Sequence, residues 1–201
     1  VAIAPAVMVR DQFNNPVAGV EVTFAVTAGG GAVDPATPVL TDVSGIATAT
    51  SWTLGNTAGA NTLSASANGL IGSPLTFTAT GTAGAATQVA LEAGDGQSAT
   101  VGTAVAIAPT VIVRDQFNNP VAGVEVTFAV TAGGGTVDPT TPVTTDANGI
   151  AAAPWTLGTS VGSNSVTATA DGLAGSPVSF SATGTSAAAT QIALQAGDGQ
   201  T

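Results

Sequence analysis

Val124, Val126, Phe128 and Val130 alternate along the chain with Glu125, Thr127, Ala129 and Thr131. A period of two sets the bulky apolar side chains on one face of an extended strand and the small or polar ones on the other. The same alternation runs through Val105 to Val113, Val166 to Ala170 and Val178 to Ala182. Turn-forming residues separate the runs: Asn118-Asn119-Pro120, Gly133-Gly134-Gly135, Asp138-Pro139, Asn148-Gly149, Asp171-Gly172 and Ser176-Pro177. No segment carries the apolar spacing of an amphipathic helix. The pattern predicts strands near 88–93, 105–114, 122–131, 142–146, 150–157, 164–170 and 177–183, as in an antiparallel sandwich or barrel.

These runs occur twice. The 23 residues from Val9 to Gly31 recur unchanged from Val113 to Gly135. One residue drops out after Ala47 and Ala151, so Trp52 pairs with Trp155, Asn61 with Asn164 and Gly81 with Gly184. A unit of about a hundred residues is longer than a solenoid repeat and has the size of an independent domain. Seven short strands in that length fit an immunoglobulin-like sandwich, although the chain has neither Cys nor Tyr for the disulfide and tyrosine corner of antibody domains. The expected fold is all-β, with tandem immunoglobulin-like antiparallel β-sandwiches. Val1 to Pro5 align with Val105 to Pro109, and Thr190 to Gln200 align with Thr87 to Gln97. Residues 1–86 therefore read as an Ig-like repeat lacking its first strand, 87–189 as a complete repeat and 190–201 as the first strand of a following repeat. A window onto a longer tandem array accounts for both ends; a subunit whose ends complete its neighbours is the alternative. The seam is expected at 81–87, a run of small residues suited to a short, modestly flexible joint.

Composition narrows the chemistry. Hydrophobic residues are 44% of the chain but aromatics only 4%, so the core must be built mostly of Ala and Val. Without Cys there is no disulfide and no thiolate ligand or nucleophile. The net charge of −10 comes from a scarcity of cations, with Arg10 and Arg114 alone against 12 acids. Nucleic acid and anionic membrane surfaces, which need clustered Lys and Arg, are excluded as partners. No apolar run approaches the roughly 18 residues of a membrane span.

The chain also lacks His and Lys, which removes Ser-His-Asp and Cys-His catalysis, His-ligated zinc, Schiff-base chemistry and the Lys of a phosphate loop. It removes a Lys-Asn isopeptide staple as well. Gly29-Gly30-Gly31 and Gly133-Gly134-Gly135 follow strands and precede no helix, so they do not form a phosphate cradle. A carboxylate pair is formally open, but the shared acids fall at turns or on exposed strand positions. Asp115 is expected to accept hydrogen bonds from the amides of the turn that follows, with Pro120 fixing φ and Gly123 allowing close approach; Asp146 with Gly149 repeats this in the next turn. Calcium needs six to eight converging oxygens, whereas these acids are single and dispersed. Asp95 and Asp198, beside Gly at a unit boundary, are the remaining candidates for a structural calcium ion. No catalytic, cofactor-binding or metal-binding residue is assigned. Trp52 and Trp155 are expected to be core anchors.

One combination is more specific than its parts. Asp115-Gln116-Phe117-Asn118-Asn119-Pro120-Val121-Ala122-Gly123-Val124-Glu125-Val126-Thr127-Phe128 is followed by Thr145-Asp146-Ala147-Asn148-Gly149-Ile150-Ala151 and by Val166-Thr167-Ala168-Thr169-Ala170. In order and spacing this resembles the bacterial immunoglobulin-like domain of the intimin and invasin type, and both units carry it. Phe117 departs from the Gly or small residue usual there. The resemblance implies a non-enzymatic, extracellular or surface-displayed array that acts as a rigid stalk for an adhesive or catalytic tip, with neighbouring copies of the repeat as its partners. An extracellular filament assembled by strand exchange between chains is the alternative. A carbohydrate- or protein-binding module is a third reading, disfavoured by the few aromatics available for an exposed platform.

Overall fold

A computed structural model of the chain describes residues 1–196 and 198. The chain divides into two compact units, Val1–Gly84 and Ala85–Thr201. Every regular element among the described residues is a strand.

The first unit contains β1 (Ala6–Met8), β2 (Glu21–Ala28), β3 (Gly31–Asp34), β4 (Val39–Leu40), β5 (Ile46–Thr48), β6 (Ser51–Leu54), β7 (Gly59–Ser66) and β8 (Leu75–Gly81). They form a four-stranded sheet in the order β4-β2-β7-β8 and two ribbons, β1-β5 and β3-β6. Val22, Phe24, Trp52, Leu63 and several Ala side chains make its core.

The second unit contains β9 (Ala86–Ala93), β10 (Gln97–Thr100), β11 (Thr110–Asp115), β12 (Glu125–Ala132), β13 (Gly135–Val137), β14 (Val143–Thr144), β15 (Ile150–Ala152), β16 (Trp155–Leu157), β17 (Gly162–Thr169) and β18 (Val178–Thr185). One sheet has the order β10-β18-β17-β12-β14; facing it are β15-β11-β9 and the ribbon β13-β16. The period of two decides which side chains meet between them. In β18 burial alternates strictly, with Val178, Phe180 and Ala182 buried and Ser179, Ser181 and Thr183 exposed. Val126, Phe128, Val166 and Ala168 join them from the same sheet, against Val89, Val111, Val113, Ala151 and Trp155 from the other layer. Trp52 and Trp155 are buried, as expected. This is a tandem Ig-like β-sandwich, all-β.

Several boundaries differ from those the pattern predicts. The strand expected over 105–114 is regular only from Thr110. Before it, Val105 donates its amide to the Trp155 carbonyl at 3.0 Å, and Ile107 is held by the Gln97 side chain through bonds of 2.6 and 2.8 Å. Pro109, which has no amide hydrogen, closes that irregular stretch. The strand expected over 150–157 is two, because Pro154 interrupts the ladder and the chain changes partner, from β11 at β15 to β13 at β16. Strands β10 and β13 are additional. Gln97–Thr100 shows no apolar alternation, and it pairs parallel to β18, the one parallel ladder between named strands among the described residues. Residues 190–196 lie outside any strand and are exposed. Residues 197 and 199–201 of that expected strand lie outside the described residues.

The triple glycines have a structural use. Gly133, Gly134 and Gly135 have φ of 80°, 73° and 91°, a left-handed run that L side chains resist. A Cβ on Gly135 would run into the Thr156 carbonyl oxygen of β16, whereas one on Gly134 would come no closer than 3.9 Å to any neighbour. Gly135→Ala is therefore expected to destabilise the second unit by about 3 kcal/mol or more, the φ penalty and the collision adding. Gly134→Ala is expected to cost about 1–2 kcal/mol from φ alone. Amide hydrogen exchange across β12, β17 and β18 measures both; equal effects would show that φ and not the contact sets the requirement.

Candidate functional site

The repeated acids are the side chains with the most chemistry to offer, and local geometry occupies them. Asp115 ends β11 with its carboxylate buried. Its Oδ1 accepts the amides of Phe117 at 2.8 Å and Asn119 at 2.9 Å, and its Oδ2 accepts Asn119 Nδ2 at 2.9 Å. Asn118 sits at φ 69°, a conformation Asn tolerates, and the Val121 amide then returns to the Val113 carbonyl. Phe117 fits this turn with its side chain half exposed and its amide on Asp115. Asp11 makes the same three bonds at 2.8 to 3.0 Å in the first unit, but in the open.

In the next turn Asp146 Oδ1 accepts the amides of Asn148 at 2.8 Å and Ile150 at 3.0 Å. Gly149 at φ +73° lies close to the Val113 carbonyl and Pro120, so it needs both the conformation and the space. At Gly123 the close approach that was expected is absent. A Cβ there would meet nothing within 4 Å, and φ of +81° is what calls for glycine.

Asp95 Oδ1 accepts both the amide of Ser181 at 2.7 Å and its hydroxyl at 2.9 Å, fastening the β9-β10 turn to β18. Asp198 is exposed in a turn. These bonds hold three carboxyls below the usual carboxylate range. At Asp95 the cause is chiefly the Ser181 amide and then its hydroxyl, at Asp146 the Ile150 and Asn148 amides, and at Asp11 the Asn15 side chain and amide. Among the described residues no three acidic side chains gather as a metal cluster would.

Asn61 and Asn164 were visible in the sequence only as an aligned pair. Each is buried, with its Oδ1 accepting the amide of Gly55 or Gly158 and its Nδ2 donating to the carbonyl of Gly59 or Gly162, at 3.1 to 3.2 Å. They tie together loops at one end of each sandwich.

One concave surface stands apart from these turns. In the first unit a groove of about 520 Å³ runs between β1 and the turn joining β7 to β8, with Val7, Met8, Leu70, Ile71 and Leu75 along it. Leucine, isoleucine and methionine lie open here in a protein whose other exposed positions are mostly small or polar.

The model of the bacterial Ig-like domain (group 1) family matches residues 2–80 and again 88–183. The chain belongs to that family. Among solved structures, the D0-D1 domain of intimin is 26% identical over 88% of this chain and 85% of that one, with a TM-score of 0.37. InvD of Yersinia pseudotuberculosis is 23% identical over 94% of this chain and 54% of that one, with a TM-score of 0.57. Invasin, described as a bacterial integrin-binding protein, is 23% identical over 90% of this chain and 35% of that one, with a TM-score of 0.41. The chain thus spans most of the intimin fragment but about half of InvD and a third of invasin. No curated protein matches. Family membership puts this bacterial Ig-like protein at the cell surface or outside the cell. No helix among the described residues is long and apolar enough to cross a membrane.

Two predictions follow from the turns. Asp115→Ala leaves buried donors unpaired and is expected to cost the second unit about 3 kcal/mol, whereas Asp11→Ala, with water able to replace the carboxylate, is expected to cost the first unit clearly less. Exchange protection at the Val113 and Val9 amides compares them directly. For pH, a carboxyl whose folded pKa is lowered stabilises the fold above its ordinary value of about 3.9 and loses that contribution as pH falls through the lowered folded value. With no His in the chain, the urea midpoint is expected to be flat from about pH 5 to 8 and to fall below about pH 4. Asp146→Asn is expected to shrink the acid-side fall; an unchanged fall would remove Asp146 from the account.

Proposed function

We propose that this bacterial Ig-like chain is a structural spacer of a surface adhesin, a run of tandem sandwiches that holds a functional tip away from the cell. The observation that carries the reading is that the acids repeated between the units at Asp11 and Asp115 and at Asp42 and Asp146 are bonded to their own turns. What near-identical units add to one another is length. A sandwich of seven-residue strands advances the chain by roughly 35–45 Å.

In this reading 1–86 and 87–189 are successive repeats and 190–201 opens the next. No catalytic group, cofactor or resident metal is needed, and Asp95 serves to hold a turn on β18. Adhesion by intimin- and invasin-type relatives supports the setting, and ligand binding is assigned to parts outside these units.

Two measurements test this. The polypeptide taken from its source and fully denatured is expected to have several times the mass of two repeats. Beads coated with residues 1–201 alone are expected not to adhere to host cells or matrix proteins. Adhesion by those beads would make the units a ligand-binding module and overturn the spacer reading.

A further inference from the structure

Asn-Gly occurs twice in the chain, with nearly the same neighbours: Ala67-Asn68-Gly69-Leu70 and Ala147-Asn148-Gly149-Ile150. The dipeptide carries a latent reaction. The glycine amide nitrogen can attack the side-chain carbonyl carbon of the asparagine, and glycine has no Cβ to stand in the way. The two copies share sequence but not structure. Asn148 lies in the turn before β15, where the Gly149 amide donates to the Asp146 carbonyl at 2.9 Å and Asp146 Oδ1 accepts the amides on either side, those of Asn148 and Ile150. Gly149 is also packed in, since a Cβ there would press on the Val113 carbonyl oxygen. The nucleophile is bonded and has no room to turn.

Asn68 lies in the corner between β7 and β8, and nothing comparable holds it. Asn68 and Gly69 are both exposed, and a Cβ on Gly69 would meet nothing within 4 Å. Among the described residues the Gly69 amide has no hydrogen-bond acceptor. The turn is closed by the Leu70 amide on the Ala67 carbonyl at 3.5 Å, a long bond. This openness belongs to the corner itself, because the counterpart Asp171-Gly172 in the second unit is exposed too.

We propose that Asn68-Gly69 is a self-modification site, at which the folded chain converts without an enzyme to aspartyl and isoaspartyl forms, water being the co-reactant. The Gly69 amide gives its proton to hydroxide or a buffer base, and its nitrogen bonds to Asn68 Cγ. The Cγ–Nδ2 bond breaks, and the side-chain nitrogen takes a proton from solvent and leaves as ammonia. Water then opens the cyclic imide at either carbonyl. Opening at Cγ restores the ordinary backbone with aspartate in place of asparagine; opening at the main-chain carbonyl leaves the chain running through the side chain, one methylene longer. Both products add one negative charge. The aspartyl product fits the corner, since the second unit already has Asp171 there, with Gly172 at φ 75° against 74° for Gly69 and the Leu173 amide on the Ala170 carbonyl at 3.4 Å. The isoaspartyl product lengthens the corner and loosens the end of the ladder beside it, where Ala65 is opposite Leu75. The site stands whether or not the units act as spacers, and it makes the charge of the first unit a function of the age of the chain.

The test compares residues 1–201 folded and unfolded in urea, both at mildly alkaline pH, with conversion at each asparagine followed by peptide mass spectrometry. In urea the two sites are expected to react at equal rates, because their neighbours are nearly the same. In the folded chain Asn68 is expected to convert roughly tenfold or more faster than Asn148, whose glycine amide must first leave Asp146. Isoaspartate is expected among the products. Asn68→Gln, whose longer side chain closes the ring far more slowly, is expected to abolish the acidic species that the folded chain accumulates on ion exchange. Equal rates in the folded chain, faster conversion at Asn148, an Asn68 that stays intact while the unfolded chain converts, or an acidic species undiminished in Asn68→Gln overturns the proposal.

Discussion

The layer between the sheets has a width set by backbone geometry, about 10 Å, and most of what lines it is too small to fill it. Ala47, Ala49, Ala65 and Ala67 in one unit, and Ala151, Ala153, Ala168 and Ala170 in the other, point into that layer. One indole in each unit takes up the remaining space. Trp52 and Trp155 are buried with no hydrogen-bond partner for Nε1. An unpaired indole N–H costs about 1–3 kcal/mol, whereas burying 150–250 Å² of aromatic surface at about 25 cal/mol/Å² contributes about 4–6 kcal/mol. The packing term wins, and the orphaned donor persists in both copies.

Fixing the indole fixes what lies beside it. Trp155 is opposite Val137 in the β13-β16 ribbon, so the chain must arrive at β13 directly from β12. The left-handed glycine run makes that corner, and Asn164 bonds to the loops under it. The Asn164 amide is consumed in holding this end, as the turn aspartates are consumed at theirs. The result is a unit whose interior is closed on itself and whose surface is mostly hydroxyl, amide and glycine.

The sheet β12-β17-β18 was legible because its two faces differ, and a period of two records that difference in the sequence. The Asp115 and Asp146 turns were legible because an aspartate bonding amides two and four residues ahead is a local event. β10 was not: Gln97–Thr100 has no alternation, and its strand character comes from a parallel ladder with residues more than eighty positions away. The irregular stretch before Pro109 read as strand because Val105 and Ile107 alternate, although one is held by the core and the other by Gln97. The groove was invisible for a related reason. Leu75 looks like an ordinary strand residue, and only the burial of its counterpart Val178 shows that it belongs to an inner surface.

In the spacer reading the parallel ladder is the element that meets tension. The second unit is entered at β9 and left at β18, and β10 continues β9 across to the opposite sheet. Force applied along the chain pulls the start of the unit one way and the end of β18 the other. Because β10 and β18 run in the same direction, this slides the two strands past each other and strains all the Gln97–Thr100 pairings together; antiparallel terminal strands would peel apart one bond at a time. Asp95 adds its carboxylate to the Ser181 amide and hydroxyl beside that ladder. Resistance to forced unfolding is a matter of the unfolding rate and not of equilibrium stability. A seam of four backbone pairings and one charged clasp, loaded in shear, therefore does more for a spacer than the same bonds would do elsewhere in the sandwich.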